Sequence, residues 1–258
     1  MWTRRELKER AKNVLRGNYW KAFLISLVIL IAGGEGGGGS SVGGNSGRNN
    51  GYGGYGSFFY GMDYEQIIAM VLLTLAGAFI LILFILALRV FLGYPLEVGG
   101  RRYFVQSAQY FDNRGCFRFA FDGRHYLAIV GSMFLKGLQN FLWFLLFIIP
   151  GIVKAYAYSM VPYILADNPN IGARKAIRLS NQMTYGYKFD MFILDLSFIG
   201  WKLLGLLALV IGVLFVQPYV DATKAELYLV LRKNALDKGI CTYDDLMLYE
   251  PQQEGNNY

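Results

Sequence analysis

Cysteine and histidine are nearly absent: Cys116, Cys241 and His125 are all that 258 residues contain. So few donors exclude a Cys/His zinc site built from this chain alone, and no Cys-x-x-Cys redox pair exists. Charged residues are also scarce, at 17 %, well below the share of an ordinary globular protein. No phosphate-binding loop, nucleophile triad, His-Glu-x-x-His or catalytic carboxylate pair stands out. No catalytic, cofactor-binding or metal-binding residue is therefore assigned, and no cofactor is expected. Both cysteines read as free thiols on the cytoplasmic side.

Apolar residues fill the space that charge vacates. They make up 55 % of the chain, and the mean hydropathy is +0.33. They come in blocks rather than dispersed at amphipathic spacing, which marks membrane spans. The net charge of +7 sits between those blocks. Its natural counterpart is the anionic cytoplasmic lipid face, not nucleic acid, because no basic domain stands alone.

The longest apolar run, Tyr126–Ala166, would reach about 60 Å as one helix, twice the thickness of a bilayer core. It must fold back. Pro150-Gly151 is the expected hinge, since proline removes a helix donor and glycine accepts turn angles. The run ends in the polar stop Asp167-Asn168-Pro169.

At the amino terminus, Thr3 and Glu6 form a capping box. The helix they open is basic on one side, with Leu7, Ala11, Val14 and Leu15 on the other, and reads as an interfacial helix on anionic lipid. Tyr19 and Trp20 mark headgroup depth before the first span. The basic region is long for a signal peptide and no Ala-x-Ala site follows, so the segment reads as retained. Residues 33–61 form a glycine-rich extracytoplasmic loop, whose two Gly-x-Gly-x-x-Gly matches lack the strand and helix a nucleotide site requires. Ile67–Leu88 is the clearest span. Pro95–Tyr110 reads as a second interfacial helix within a basic loop, and Arg174, Lys175 and Arg178 mark a third. The apolar run Met191–Val216 leads through Gln217-Pro218 into a more polar helix ending at Lys233. This unit is again too long for one crossing and is expected to bend at Gly212 or Pro218.

The chain is thus expected to be all-α: a polytopic membrane helix bundle of about six spans with amphipathic interfacial helices. Its parts are a basic helix (1–18), a first span (19–32), the glycine loop (33–61), the bundle (62–233) and a polar soluble tail (234–258). Seven Lys/Arg lie in residues 1–21, one in 33–65, six in 89–125 and four in 167–190. The positive-inside rule then puts the amino terminus in the cytoplasm and the Pro150 turn outside. The carboxyl terminus is inside if Val213–Leu231 crosses, and outside if it does not. Two short echoes, Pro95–Arg102 with Pro169–Lys175 and Pro162–Ala166 with Pro218–Ala222, hint at repeats in different registers.

Charges within apolar segments cost roughly 2.5–3.5 kcal/mol each near a bilayer centre. They are Lys136, Lys154, Asp195, Lys202, Asp221, Lys224 and Glu226. Lys136 and Lys202 should sit deepest, Asp195 is the expected partner of Lys136, and Asp221, Lys224 and Glu226 lie near a helix end that can face water. Such residues either pair to hold a bundle together or line a substrate or proton path.

Arg4–Phe23, Phe147–Met160, Ala166–Pro169, Ala176–Ser180, Leu194–Trp201 and Pro218–Tyr228 together resemble a bacterial integral-membrane family, domain of unknown function 975. The resemblance implies a polytopic plasma-membrane protein with no assigned activity. A more distant similarity to membrane regions attached to some glycerophosphodiester phosphodiesterases is one of fold alone, and their catalytic domain is missing. Three functions are expected in order: a non-catalytic scaffold or accessory subunit recruiting lipids or membrane proteins, a small transporter or exporter component, and a lipid-processing enzyme.

Overall fold

The computed structural model describes residues 2–32, 63–207 and 211–249. The glycine-rich loop and the last nine residues of the tail lie outside them. Every regular element among the described residues is helical.

Helix α1 (Arg4–Ile31) joins the expected basic helix and first span into one rod, kinked at Asn18 (φ −134°, ψ 25°). Thr3 Oγ1 accepts from the Glu6 amide at 3.3 Å, as a cap should. The face carrying Leu7, Ala11 and Leu15 is buried, but against the bundle rather than lipid. The interfacial reading of this face is corrected accordingly.

Helix α2 (Tyr64–Leu88) has no buried residue. A 25-residue helix is about 37 Å long and covers a hydrocarbon core of about 30 Å. Bare Leu, Ile and Phe on every side give it a surface suited to lipid. A five-residue π-helical turn, Arg89–Gly93, carries α2 directly into α3 (Tyr94–Ala108).

Helix α3 was expected at the interface and lies in the core instead. Ten of its residues are buried, including Glu97, Val98, Arg101 and Phe104. The cause is packing on several sides: α1, α7 (Val161–Asp167), α10 (Ile211–Asp237) and α5 (Gly123–Leu146) all touch it. Gly93 and Gly100 make the approach of α1 possible. A Cβ on Gly93 would stand 2.6 Å from the Ala32 carbonyl oxygen, and one on Gly100 would strike Ile29. Arginines of the supposed basic loop cap neighbouring helix ends. Arg89 donates to the Ala32 carbonyl and Arg102 to that of Ala166, where basic groups meet the negative end of the helix dipole.

The long run does reverse, three residues earlier than expected. Phe147 (φ −157°, ψ 144°) separates α5 from α6 (Ile148–Ala157). Pro150 lies in the first turn of α6, where its missing N–H costs nothing. Gly151 lets α6 close on α5, since a Cβ there would stand 2.6 Å from the Phe144 ring. A short α4 (Cys116–Ala120) precedes the hairpin. After it, α8 (Ala173–Met183) buries Ala176, Ile177, Leu179, Ser180 and Met183 and exposes Arg174, Lys175 and Arg178. Helix α9 (Lys188–Leu207) then leads to α10, which runs unbroken through both Gly212 and Pro218. Neither residue is therefore the end of a helix. The tail is less free than expected: Cys241 and Leu246 are buried.

Four helical stretches among the described residues are long and apolar enough to cross a membrane: Arg4–Ile31, Tyr64–Ala108, Gly123–Leu146 and Ile148–Asp167. Helices α9 and α10 carry more charge and do not meet that measure.

Candidate functional site

The most polar region of the interior is built around Asp221, in the middle of α10. Its side chain is 0 % exposed and that of Arg101 on α3 is 1 %, with Nη1 donating to Oδ1 at 2.8 Å. Gln217, one turn earlier on α10, donates to the same oxygen at 3.1 Å, and Ser26 of α1 donates to Oδ2 at 2.7 Å. Three donors from three helices thus satisfy one buried carboxylate. That is the condition under which an interior charge is tolerable.

The network continues through aromatic rings. The Arg101 guanidinium lies 5.3 Å from the Tyr163 ring centroid on α7, and Tyr163 stacks on Tyr228 of α10 at 5.3 Å. Tyr228 Oη donates to Asp167 Oδ2 at 2.6 Å, and Arg232 Nη1 donates to the same oxygen at 2.9 Å. Arg232 Nη2 reaches Gln109 Oε1 at 2.8 Å. A single chain of contacts therefore ties together α1, α3, α7 and α10.

A third ion pair flanks this chain. Lys224 Nζ stands 3.2 Å from Asp195 Oδ1, with side chains 21 % and 32 % exposed, and Tyr156 Oη donates to Asp195 Oδ2 at 3.2 Å. Arg101, Tyr156, Tyr163, Asp195 and Lys224 all line one cavity of about 20 Å³, room for about one water.

The charges singled out in the sequence fall into separate places. Asp195 meets Lys224 rather than Lys136, because α10 packs along α9. Lys136 is buried on α5 and shares the surroundings of Tyr94 with Glu97. Lys202 is half-buried on α9, within electrostatic reach of Lys224 and Asp195. Lys154 Nζ sits 4.9 Å from the Trp143 ring centroid and 5.9 Å from that of Tyr158. Asp221 and Glu226, expected near water, are buried because α10 is enclosed by α1, α3 and α9. Pro150 and Gly151 line no part of the cavity.

Arg101, the centre of the network, was missed. It was read as one of the charges of an interfacial helix within a basic loop. A signal was present: Glu97, Arg101, Phe104 and Val105 share one helical face with a glycine pair that admits a neighbour. Among the described residues no group of three or more His, Cys, Asp or Glu could hold a metal ion.

Residues 123–235 match the model of the family described as Protein of unknown function (DUF975). The match runs from the start of α5 into α10 and takes in Asp167, Asp195, Asp221 and Arg232. Arg101 and Ser26 lie before it, as does the likeness read at Arg4–Phe23. Comparison with curated proteins and with solved structures gave no match.

Proposed function

From a domain with no assigned activity, we propose that the chain is a multi-pass protein of the bacterial plasma membrane and a non-catalytic scaffold or accessory subunit. In this reading its amino terminus is cytoplasmic, its carboxyl terminus is cytoplasmic as well, and its partners are anionic lipid headgroups and other membrane proteins. The observation that carries the reading is the buried Asp221 carboxylate, which accepts from Arg101, Ser26 and Gln217 beside a cavity that admits about one water. Charges spent on one another rigidify a bundle; a transport path needs charges open to a passing solute.

The experiment is affinity purification of the full chain from native membranes, with quantitative mass spectrometry of what accompanies it. The scaffold reading expects a defined set of membrane proteins in reproducible stoichiometry. Recovery of background proteins alone, together with solute flux in proteoliposomes, overturns it in favour of transport. The partly exposed Asp195–Lys224 pair on the cavity wall is the feature that such flux would involve.

A further inference from the structure

The basic start of α1 cannot insert an apolar face into lipid, because Leu7, Ala11 and Leu15 are already buried in protein. Its outer side instead forms one wall of a groove against α9 and α10. Two depressions lie end to end there. The first, about 480 Å³, runs from Arg4, Arg5 and Lys8 to Ser197. The second, about 550 Å³, runs along Arg16, Tyr19 and Phe215. Lys12, Trp201 and Tyr219 line both, so the two are one groove that is basic at one end and aromatic at the other.

We propose that this groove is a binding site for one anionic phospholipid, its phosphate held at the Arg4–Lys12 end and an acyl chain laid along Tyr19, Trp201 and Phe215. Charge complementarity selects the occupant. Five basic side chains line the groove against the single carboxylate of Glu9, which Arg5 engages at 3.1 Å. Lys8 is positioned by neutral groups, donating to Ser197 Oγ at 2.9 Å with its Nζ 4.4 Å from the centroid of the Phe198 ring, so its charge stays available. Length agrees as well. Arg4 to Tyr19 spans about 22 Å of helix, enough for a headgroup and much of the roughly 15 Å of acyl chain in one leaflet. Trp201, 57 % exposed, is where an amphipathic ring would meet the boundary between them. This site rests on the membrane location proposed above and not on the scaffold role, since a lipid can be held with or without a protein partner.

The test uses the full chain in mild detergent, with dioleoylphosphatidylglycerol as the probe and native mass spectrometry to count retained lipid. Dioleoylphosphatidylcholine and soluble glycerol phosphate serve as comparisons. One phosphatidylglycerol per chain should survive dilution that strips phosphatidylcholine, and glycerol phosphate should fail to compete. Lys12→Gln with Arg16→Gln, both at exposed positions, should weaken retention about thirtyfold, the effect of two basic residues facing an anionic surface. Val216→Trp keeps every charge but fills the aromatic end, and should also release the lipid from a protein that remains monodisperse. Equal competition by glycerol phosphate would make this a free-anion site and overturn the proposal. Unchanged retention in Val216→Trp would do the same, leaving surface charge alone as the cause. So would a Val216→Trp protein that keeps its lipid but loses a protein partner, which would assign the groove to a partner helix.

Discussion

Arg101 and Asp221, 120 positions apart in the chain, meet at 2.8 Å in a part of the bundle closed to solvent. Their pairing is the lock between α3 and α10. Removing one partner leaves the other charge buried, which costs about 3–5 kcal/mol, whereas replacing both with apolar groups can be nearly neutral. Arg101→Leu and Asp221→Leu should each lower the midpoint of thermal unfolding in detergent sharply, and the double variant should recover most of the loss. Equal damage in the double variant would mean that the two residues act independently.

The close approach of α1 to α3 gives a second expectation with an internal control. Gly100→Ala drives a methyl into the Ile29 side chain, whereas Gly93→Ala drives one toward the Ala32 backbone oxygen. Overpacking of this kind costs about 1–3 kcal/mol. A side chain can be trimmed and a carbonyl cannot. Adding Ile29→Ala, which removes both atoms in conflict, should therefore relieve Gly100→Ala but leave Gly93→Ala as unstable as before, read by the same unfolding assay.

Those two sites show where the sequence was readable. Helices, their all-α class and the need for a reversal in Tyr126–Ala166 follow from hydropathy blocks and length, which are local properties. The depth of α3 does not, because it depends on which helices surround it. Arg101 and Arg102 look alike in sequence, yet one is sealed against Asp221 and the other reaches a helix carbonyl. Pro150 misled for a related reason. Proline is compatible with both a turn and the first helical turn after it, and only the Phe147 backbone decides between them. Asp195 was recognised as costly, but its partner was sought on the wrong helix.

That partner is itself testable. Asp195 and Lys224 bridge α9 and α10 at partial exposure, so the pair is screened and should contribute less than the Arg101 lock. Asp195→Ala should destabilise the bundle by about 1 kcal/mol, the upper end for a screened, partly exposed pair. The reversal Asp195→Lys with Lys224→Asp should regain part of that loss. Lys136→Ala should add to Asp195→Ala without coupling, as expected of residues that do not touch; strong coupling would return Lys136 to the pair.

Cys116 and Cys241 are both buried, and burial pushes each thiol up to about 11. The thiolate is the reactive form. In the folded protein near neutral pH both should therefore resist a soluble maleimide, and both should react promptly once the chain is denatured. Fast labelling of the native protein at either position would contradict its packing.

The tail offers a carboxylate titration outside the candidate spans. Lys175 donates to Asp245 Oδ1 at 2.5 Å, and the Thr242 amide donates to Oδ2 at 3.1 Å. These bonds, the Lys175 contact first, hold the Asp245 carboxyl below its usual value. A depressed carboxylate stabilises the fold fully above the unfolded value, near 3.9, and loses that contribution as pH falls through the lower folded value. The turn around Asp244–Leu246, which Asn168 also holds by donating to the Asp245 carbonyl at 2.9 Å, should thus stay docked at pH 5 and loosen only in stronger acid. Amide hydrogen exchange across residues 238–249 reads this directly. Lys175→Met removes the largest cause of the shift, so its tail should exchange faster at neutral pH and respond less to acid. A variant with wild-type exchange at both pH values would show that the Lys175–Asp245 contact does not hold the tail in solution.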